Sequence, residues 1–270
     1  MRATARLTAE FDDATGTTVL RELRSMAPVT LFPRSGAAGT SGGAQVHLVN
    51  SATAPLGGDD LALHVRVGPG ARLRLSGVAA TLALPGQGGD GSAMAVHVEV
   101  GARGRFEYLP EPTVVTGRAR HHAHLAVDLD GPTARLRTRE VLVLGRDGER
   151  PGRLTTATHI VCGDVPVLRQ ELQVGDPALD ASTAYLAGRR VLGTEIVTGG
   201  VGEGGGSVEP ASGQWWSVTP LPAGGALATA LAEDAVTAER ELVRAAGCCR
   251  HGLTSPRGGG HGGGGFARCR

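Results

Sequence analysis

Turn signals recur through the middle of this chain at an interval of about thirty residues, and this regularity restricts the fold more than any other feature. Gly68-Pro69-Gly70, Gly101-Ala102-Arg103-Gly104, Asp130-Gly131-Pro132 and Gly163-Asp164 each separate runs in which apolar and polar residues alternate. Leu61, Leu63, Val65 and Val67 precede the first turn, and Leu73 and Leu75 follow it. Val96, Val98 and Val100 lead to Phe106 and Tyr108, and Leu125, Val127 and Leu129 lead to Leu136. Thr156, Thr158 and Ile160 then lead to Val165 and Val167. A period of two places each set on one face of a β-strand. Read locally, each unit is a β-hairpin, the first formed by residues 61–67 and 71–75. A lone hairpin cannot bury its apolar face, so the units must lean on one another. The expected fold is mainly β, with stacked hairpins or sheets in a β-helix-like (solenoid) or a sandwich-like arrangement; the spacing is compatible with both.

The flanking segments agree. Residues 17–25, 29–32, 44–50 and 190–197 read as further strands, and Trp215-Trp216-Ser217-Val218 as a short packed piece. Leu109-Pro110-Glu111-Pro112 belongs at an edge or between layers, because proline cannot donate to a central ladder. Residues 35–43 read as a loop and 201–206 as a mobile one. Leu227, Leu231, Ala235, Ala238, Leu242 and Ala245 recur at three and four, which predicts an amphipathic helix over about 223–246 with Gly247 as its cap. Residues 1–247 are thus expected to form one domain. The glycine-rich stretch 248–270 is expected to be disordered.

Only 3% of the 270 residues are aromatic, so Val, Leu and Ala must fill the core. A net charge of +1 provides no electrostatic reason to expect nucleic acid or an acidic membrane surface as partner. Every basic residue of the Lys/Arg class is Arg. That absence of Lys rules out a Walker-type phosphate loop, a Schiff base and a lysine general base. A single Asn, Asn50, and two Ile, Ile160 and Ile196, point to a coding bias toward G and C. Cys162, Cys248, Cys249 and Cys269 form no spaced framework, which favours a reducing compartment. Met1 runs into Glu10, Asp12 and Asp13 without an apolar stretch, and no segment resembles a membrane span. The chain is read as soluble and cytoplasmic.

Candidate chemistry is sparse. In His121-His122-Ala123-His124, strand alternation turns His122 and His124 to one side and His121 to the other. This pair is either an exposed part of an Arg-rich strand or a weak site for a borderline ion such as Ni²⁺; a stable metal centre is not expected. Scattered Cys248, Cys249, His251, His261 and Cys269 offer further ligands on a flexible end. No Gly-x-Ser-x-Gly elbow has a strand and helix around it, Cys162 reads as a core residue, and no catalytic residue is expected. Carboxylates stand out more: Asp59, Asp60, Glu111, Glu140, Asp147 and Glu149 fall at turns or strand ends. There they either line a groove or simply stay solvated.

Two blocks carry a family resemblance. Leu56-Gly57-Gly58-Asp59-Asp60 enters an alternating strand, and Glu140-Val141-Leu142-Val143-Leu144-Gly145-Arg146-Asp147-Gly148-Glu149 follows after an all-β stretch. Across roughly residues 19–197 this resembles the urease accessory protein D/H family. The resemblance implies an all-β stack with a couple of helices that acts as a maturation chaperone and not as an enzyme. It also implies partners: the accessory protein F, the nickel-carrying GTPase G recruited by it, and the urease apoprotein. Asp59 matches the acid of the family turn, Glu140 the acid opening the second block, and Gly145-Arg146 and Gly148-Glu149 its Gly-Arg and Gly-Glu pairs. Such acidic positions are associated with an internal nickel route. Asp59, Asp60, Glu140 and Glu149 are therefore expected along a passage, with Gly57, Gly58, Gly145 and Arg146 as structural motif. Ni²⁺ is expected in transit, with no permanently bound cofactor. Ser51-Ala52-Thr53-Ala54-Pro55-Leu56 departs from the family's Pro-Gly-Gly run, and Leu75-Ser76-Gly77-Val78-Ala79-Ala80-Thr81 from its Thr-Thr-Gln-rich strand. Two other readings stand beside it: a β-stack binding module unrelated to urease, and a metal-dependent hydrolase using residues 121–124.

Overall fold

In the computed structural model, which describes residues 1–34, 42–87, 91–198 and 208–252, the alternating runs are strands. Most of the turns between them are nevertheless not hairpins. The chain opens with two antiparallel pairs, β1 (Arg2–Asp12) with β2 (Thr17–Arg24) and β3 (Val29–Pro33) with β4 (Ala44–Asn50). From there it winds. β5 (Asp60–Val67) lies in a first sheet, and the following glycine turn delivers β6 (Arg72–Gly77) and β7 (Thr81–Ala83) to a second sheet facing it. β8 (Ser92–Val100) returns to the first sheet, and β9 (Arg105–Leu109) and β10 (Thr113–Val115) cross to the second. β11 (Arg120–Leu129), β12 (Arg135–Leu144) and β13 (Arg153–Cys162) repeat the crossing. Each strand pairs in parallel with its counterpart one coil later: β5 with β8, β8 with β11 and β11 with β13, and likewise β6 with β9 and β9 with β12. The stack is a β-solenoid of two facing sheets.

The hairpin reading of residues 61–75 is therefore corrected. A strand, a tight turn and a second strand look the same in sequence whether the turn reverses the chain within a sheet or carries it to another. Here Leu61 pairs with Met94 of the next coil, and its apolar face is buried against the opposite sheet. Only the last of the four turns, at Gly163-Asp164, joins an antiparallel pair, β13 with β14 (Val165–Val174).

A short helix α1 (Pro177–Ala181) follows, with the Asp176 side chain accepting from the Ala178 and Leu179 amides. β15 (Val191–Thr198) then runs antiparallel to β12, and β16 (Ala211–Ser212), β17 (Trp216–Pro220) and β18 (Gly225–Ala232) extend the second sheet. α2 (Ala235–Gly252) lies across the outer face of that sheet, where Ala238, Leu242 and Ala245 bury against Ala228, Ala230 and Val141. Gly193 permits this contact: a Cβ there would lie 2.9 Å from Leu242 Cδ1.

The helix predicted over 223–246 is thus half strand. Leu227 and Leu231 are four apart, and four residues return to the same face both at a helical period of 3.6 and at a strand period of 2. The true helix start is Asp234, whose carboxylate accepts from Thr237 N at 2.8 Å and Thr237 Oγ1 at 2.7 Å. α2 passes through Gly247 and reaches Gly252. The predicted loop at 35–43 lies mostly, that at 201–206 wholly, and the tail beyond Gly252 wholly outside the described residues. No helix among the described residues is long and apolar enough to cross a membrane.

Between the sheets lie two apolar cores. The larger includes Leu63, Leu75, Val98, Phe106, Leu136 and Ile160; the other gathers Leu142, Leu144, Leu154, Val174 and Leu192. What separates them is polar.

Candidate functional site

β9 stops at Leu109 and β10 begins at Thr113, with Pro110 and Pro112 between them. Neither proline has an N–H to give to a ladder, so the sheet is interrupted there. β12 runs on past the interruption. Its residues 135–138 pair with β9 and 142–144 with β10, leaving Arg139, Glu140 and Val141 without a partner on that side. On its other side β12 stays continuous with β15, where Glu140 pairs with Thr194. Alternation then turns Glu140 inward, in line with Leu136, Thr138 and Leu142.

From the facing sheet Thr156 donates its hydroxyl to the Glu140 carboxylate, 3.1 Å from Oε1 and 3.2 Å from Oε2. Three cavities border Glu140. One of about 80 Å³ also touches Tyr108, Pro110 and Glu111. A second of about 80 Å³ reaches Asn50, Thr81 and His121, and a third of about 10 Å³ reaches Gln170. The two larger ones have room for a few water molecules. Glu140 is half-buried, and desolvation pushes its carboxyl up to about 7 against the opposing pull of the Thr156 hydrogen bond. Burial, and then the Glu140 charge, push the Tyr108 phenol upward. Burial and the neighbouring His122 push His121 down to about 4, so it is a neutral imidazole, 2.9 Å from Ser92 Oγ.

The other predicted residues are not gathered at this point. Asp59, only 6% exposed, has both oxygens engaged: Oδ1 lies 2.9 Å from the Met1 amine and Oδ2 accepts from Leu56 N at 2.8 Å. Its turn is closed by Asp59 N donating to Leu56 O at 2.8 Å, and by the Gly57 and Gly58 amides bonding to Leu84 O and Gly91 O. Asp60 is exposed and pairs with Arg2 at 3.0 Å. Glu149 sits in a surface turn, held below the usual carboxylate range first by the Arg146 amide, which donates to it at 3.0 Å. Gly145 is required there: its φ is +78°, and a Cβ would meet Glu149 O at 2.4 Å. The Arg146 carbonyl accepts from Arg190, which also reaches Asp147 at 3.4 Å.

The histidine run divides as alternation predicts. His121 is buried between the sheets, whereas His122 is exposed on the outer face and His124 half-buried on it. No three His, Cys, Asp or Glu side chains among the described residues converge as a metal site. Cys162 packs against the larger core, as its strand position predicts.

The threonines around Glu140 were not picked out from the sequence, although a signal exists. Thr138 and Glu140 sit at the inward parity of Leu136 and Leu142, Thr156 and Thr158 at that of Leu154 and Ile160, and Thr194 at that of Leu192 and Ile196. Polar residues in the core rows of β12 and β15, and of β13 facing them, mark a polar layer in the sequence pattern itself.

The profile of a family described as UreD urease accessory protein matches residues 3–258. A protein of Saccharopolyspora erythraea named Urease accessory protein UreD 1 is 57% identical over 248 residues, covering 92% of this chain and 95% of its own. Proteins named Urease accessory protein UreD from Streptomyces avermitilis and a Parafrankia species are 39% and 38% identical. They cover 91% and 95% of this chain, and 96% and 91% of their own lengths.

Proposed function

This chain belongs to the UreD family of urease accessory proteins, and from that premise we propose that it is a non-catalytic maturation chaperone through which Ni²⁺ passes on its way to apo-urease. Membership itself puts the chain in urease maturation. The finer reading is that it holds the accessory protein F and the GTPase G on apo-urease while the ion moves between the two sheets.

The observation that carries this reading is Glu140, one carboxyl bordering three cavities beside a proline break in the second sheet. A carboxyl poised near neutrality accepts a cation by losing its proton and regains the proton when the ion leaves. Its neighbours are hydroxyl groups of Thr138, Thr156, Thr158 and Thr194. Hard oxygen donors hold nickel less tightly than imidazole or thiolate, which suits an ion that must be released. Asp59, Asp60 and Glu149 support the passage indirectly, through the turns and strand ends that they hold.

The test is urease activation with Glu140→Ala and Glu140→Gln, reading urease nickel content alongside co-purification of proteins F, G and the urease subunits. Both variants are expected to assemble normally and to leave urease severalfold poorer in nickel. Normal nickel loading by both removes the passage.

A further inference from the structure

On the outer face of the second sheet, two neighbouring rows of side chains follow opposite electrostatic rules. In one row Arg74 of β6 pairs with Glu107 of β9, and Glu107 with Arg137 of β12, so the signs alternate. Arg74 and Glu107 approach to 3.8 Å, and Arg137 reaches on to Glu195 of β15 at 2.9 Å. In the adjacent row Arg72 pairs with Arg105, and Arg105 with Arg135. Three guanidinium groups thus stand on consecutive strands whose backbones lie about 4.8 Å apart.

Like charges directly opposite one another destabilise a sheet, so this row carries a cost that an acid at its centre would remove. No acid among the described residues forms an ion pair with Arg105 or Arg135. Arg105 is exposed. Arg135 is half-buried, and its Nη1, shielded from water, has no hydrogen-bond partner among the described residues. A desolvated donor of this kind gains most from an acceptor brought from outside. α2 covers the same face around Val141, Ala228 and Ala230, where Arg139 is matched by Glu239 of the helix at 3.7 Å. The arginine row lies at the opposite end of β12.

We propose that the row Arg72, Arg105 and Arg135 is a docking surface for an extended, carboxylate-rich segment of a partner protein. One guanidinium donates two parallel N–H bonds to one carboxylate, which suits arginine better than lysine for this task. In an extended segment the side chains on one side recur about every 6.7 Å, within reach of long side chains rooted on adjacent strands. Glu107 and Glu195 limit the surface. They confine the uncompensated positive charge to one row and repel a polyanion spread over the sheet, so a nucleic acid or an anionic membrane fits it poorly. The surface stands apart from the passage reading, because Glu140 faces the other side of β12 and the test needs neither Ni²⁺ nor urease.

The experiment is fluorescence polarisation with the purified full-length chain and a short fluorescein-labelled peptide of alternating Glu and Thr, at low ionic strength. Saturable binding that weakens as salt is added is expected, and the same peptide with Gln in place of Glu is expected not to bind. Arg105→Gln/Arg135→Gln should lower the affinity by about tenfold, the loss of two ion pairs near the upper end of the surface range. Arg120→Gln/Arg153→Gln removes the same charge from a paired position of the first sheet and should leave the affinity unchanged. Because it separates like charges, Arg105→Gln alone should unfold at the wild-type temperature or above it. Absence of binding, an equal loss in both double variants, equal binding of a DNA duplex, or a lower unfolding temperature for Arg105→Gln each overturns the assignment.

Discussion

The interior around Phe106 and the interior around Glu140 are enclosed by the same coils, yet the first is solid and the second is hollow. At Phe106 every inward position is apolar: Leu63, Leu75, Val98 and Leu136 are at most 2% exposed. A few residues along the same strands, threonines and one glutamate occupy those positions, two prolines interrupt the ladder, and cavities of about 80 Å³ remain. Threonine has the branched shape of valine, so the strand persists where the packing does not. A solenoid can therefore be made hollow locally without any change in its winding.

Three measurements would break or sharpen that contrast. Phe106→Ala empties a site with no slack, and the expected loss is about 3–5 kcal/mol in denaturant unfolding. A loss below about 1 kcal/mol would mean that the solid half is not closely packed.

Next in size is the pH response of the hollow half. The carboxyl of Glu140 is raised from 4.5 to about 7 in the folded protein. The native state therefore keeps a proton that the unfolded chain has already released, and stability declines as pH rises from about 4.5 to 7. The difference between wild type and Glu140→Gln should amount to about 3 kcal/mol across this window, with the variant the flatter of the two. Parallel stability curves would show that the carboxyl is solvated like one at the surface.

Smallest is Thr156→Val, which keeps the shape and removes the hydroxyl that donates to Glu140. Its expected cost is about 1 kcal/mol, with the Glu140 titration moving further upward. A downward move would mean that another donor replaces the hydroxyl.

The winding was legible as a repeat of turns and alternating strands, but its sense was not. Pairing between Leu61 and Met94 is a non-local fact, while the turn at Gly68-Pro69-Gly70 looks the same for either connection. Leu227 and Leu231 misled for a related reason, since their spacing fits both periods, and only the all-alanine row of Ala226, Ala228, Ala230 and Ala232 under α2 distinguishes the strand. At the site, Glu140 was visible as an acid opening a block, and the prolines as belonging at an edge or between layers, whereas they interrupt the second sheet from within. Their meeting was not visible, because it depends on β12 running unbroken past the gap between β9 and β10. Asp59 was visible as a turn acid, whereas its bonds to Met1 and Leu56 required the fold.

The first sheet ends at both margins in a strand that runs against its neighbour, β2 on one side and β14 on the other. Both are short on buried residues and dotted with charge, with Arg21, Glu22 and Arg24 on one and Arg169 and Glu171 on the other; β14 also carries Pro166 beside an irregularity in its pairing. A parallel coil offered to either margin meets the wrong polarity, ionised side chains and, at one, a tertiary amide with no N–H to give. The winding thus carries its own terminators at both margins of this sheet, and neither margin invites a second copy to continue the parallel stack.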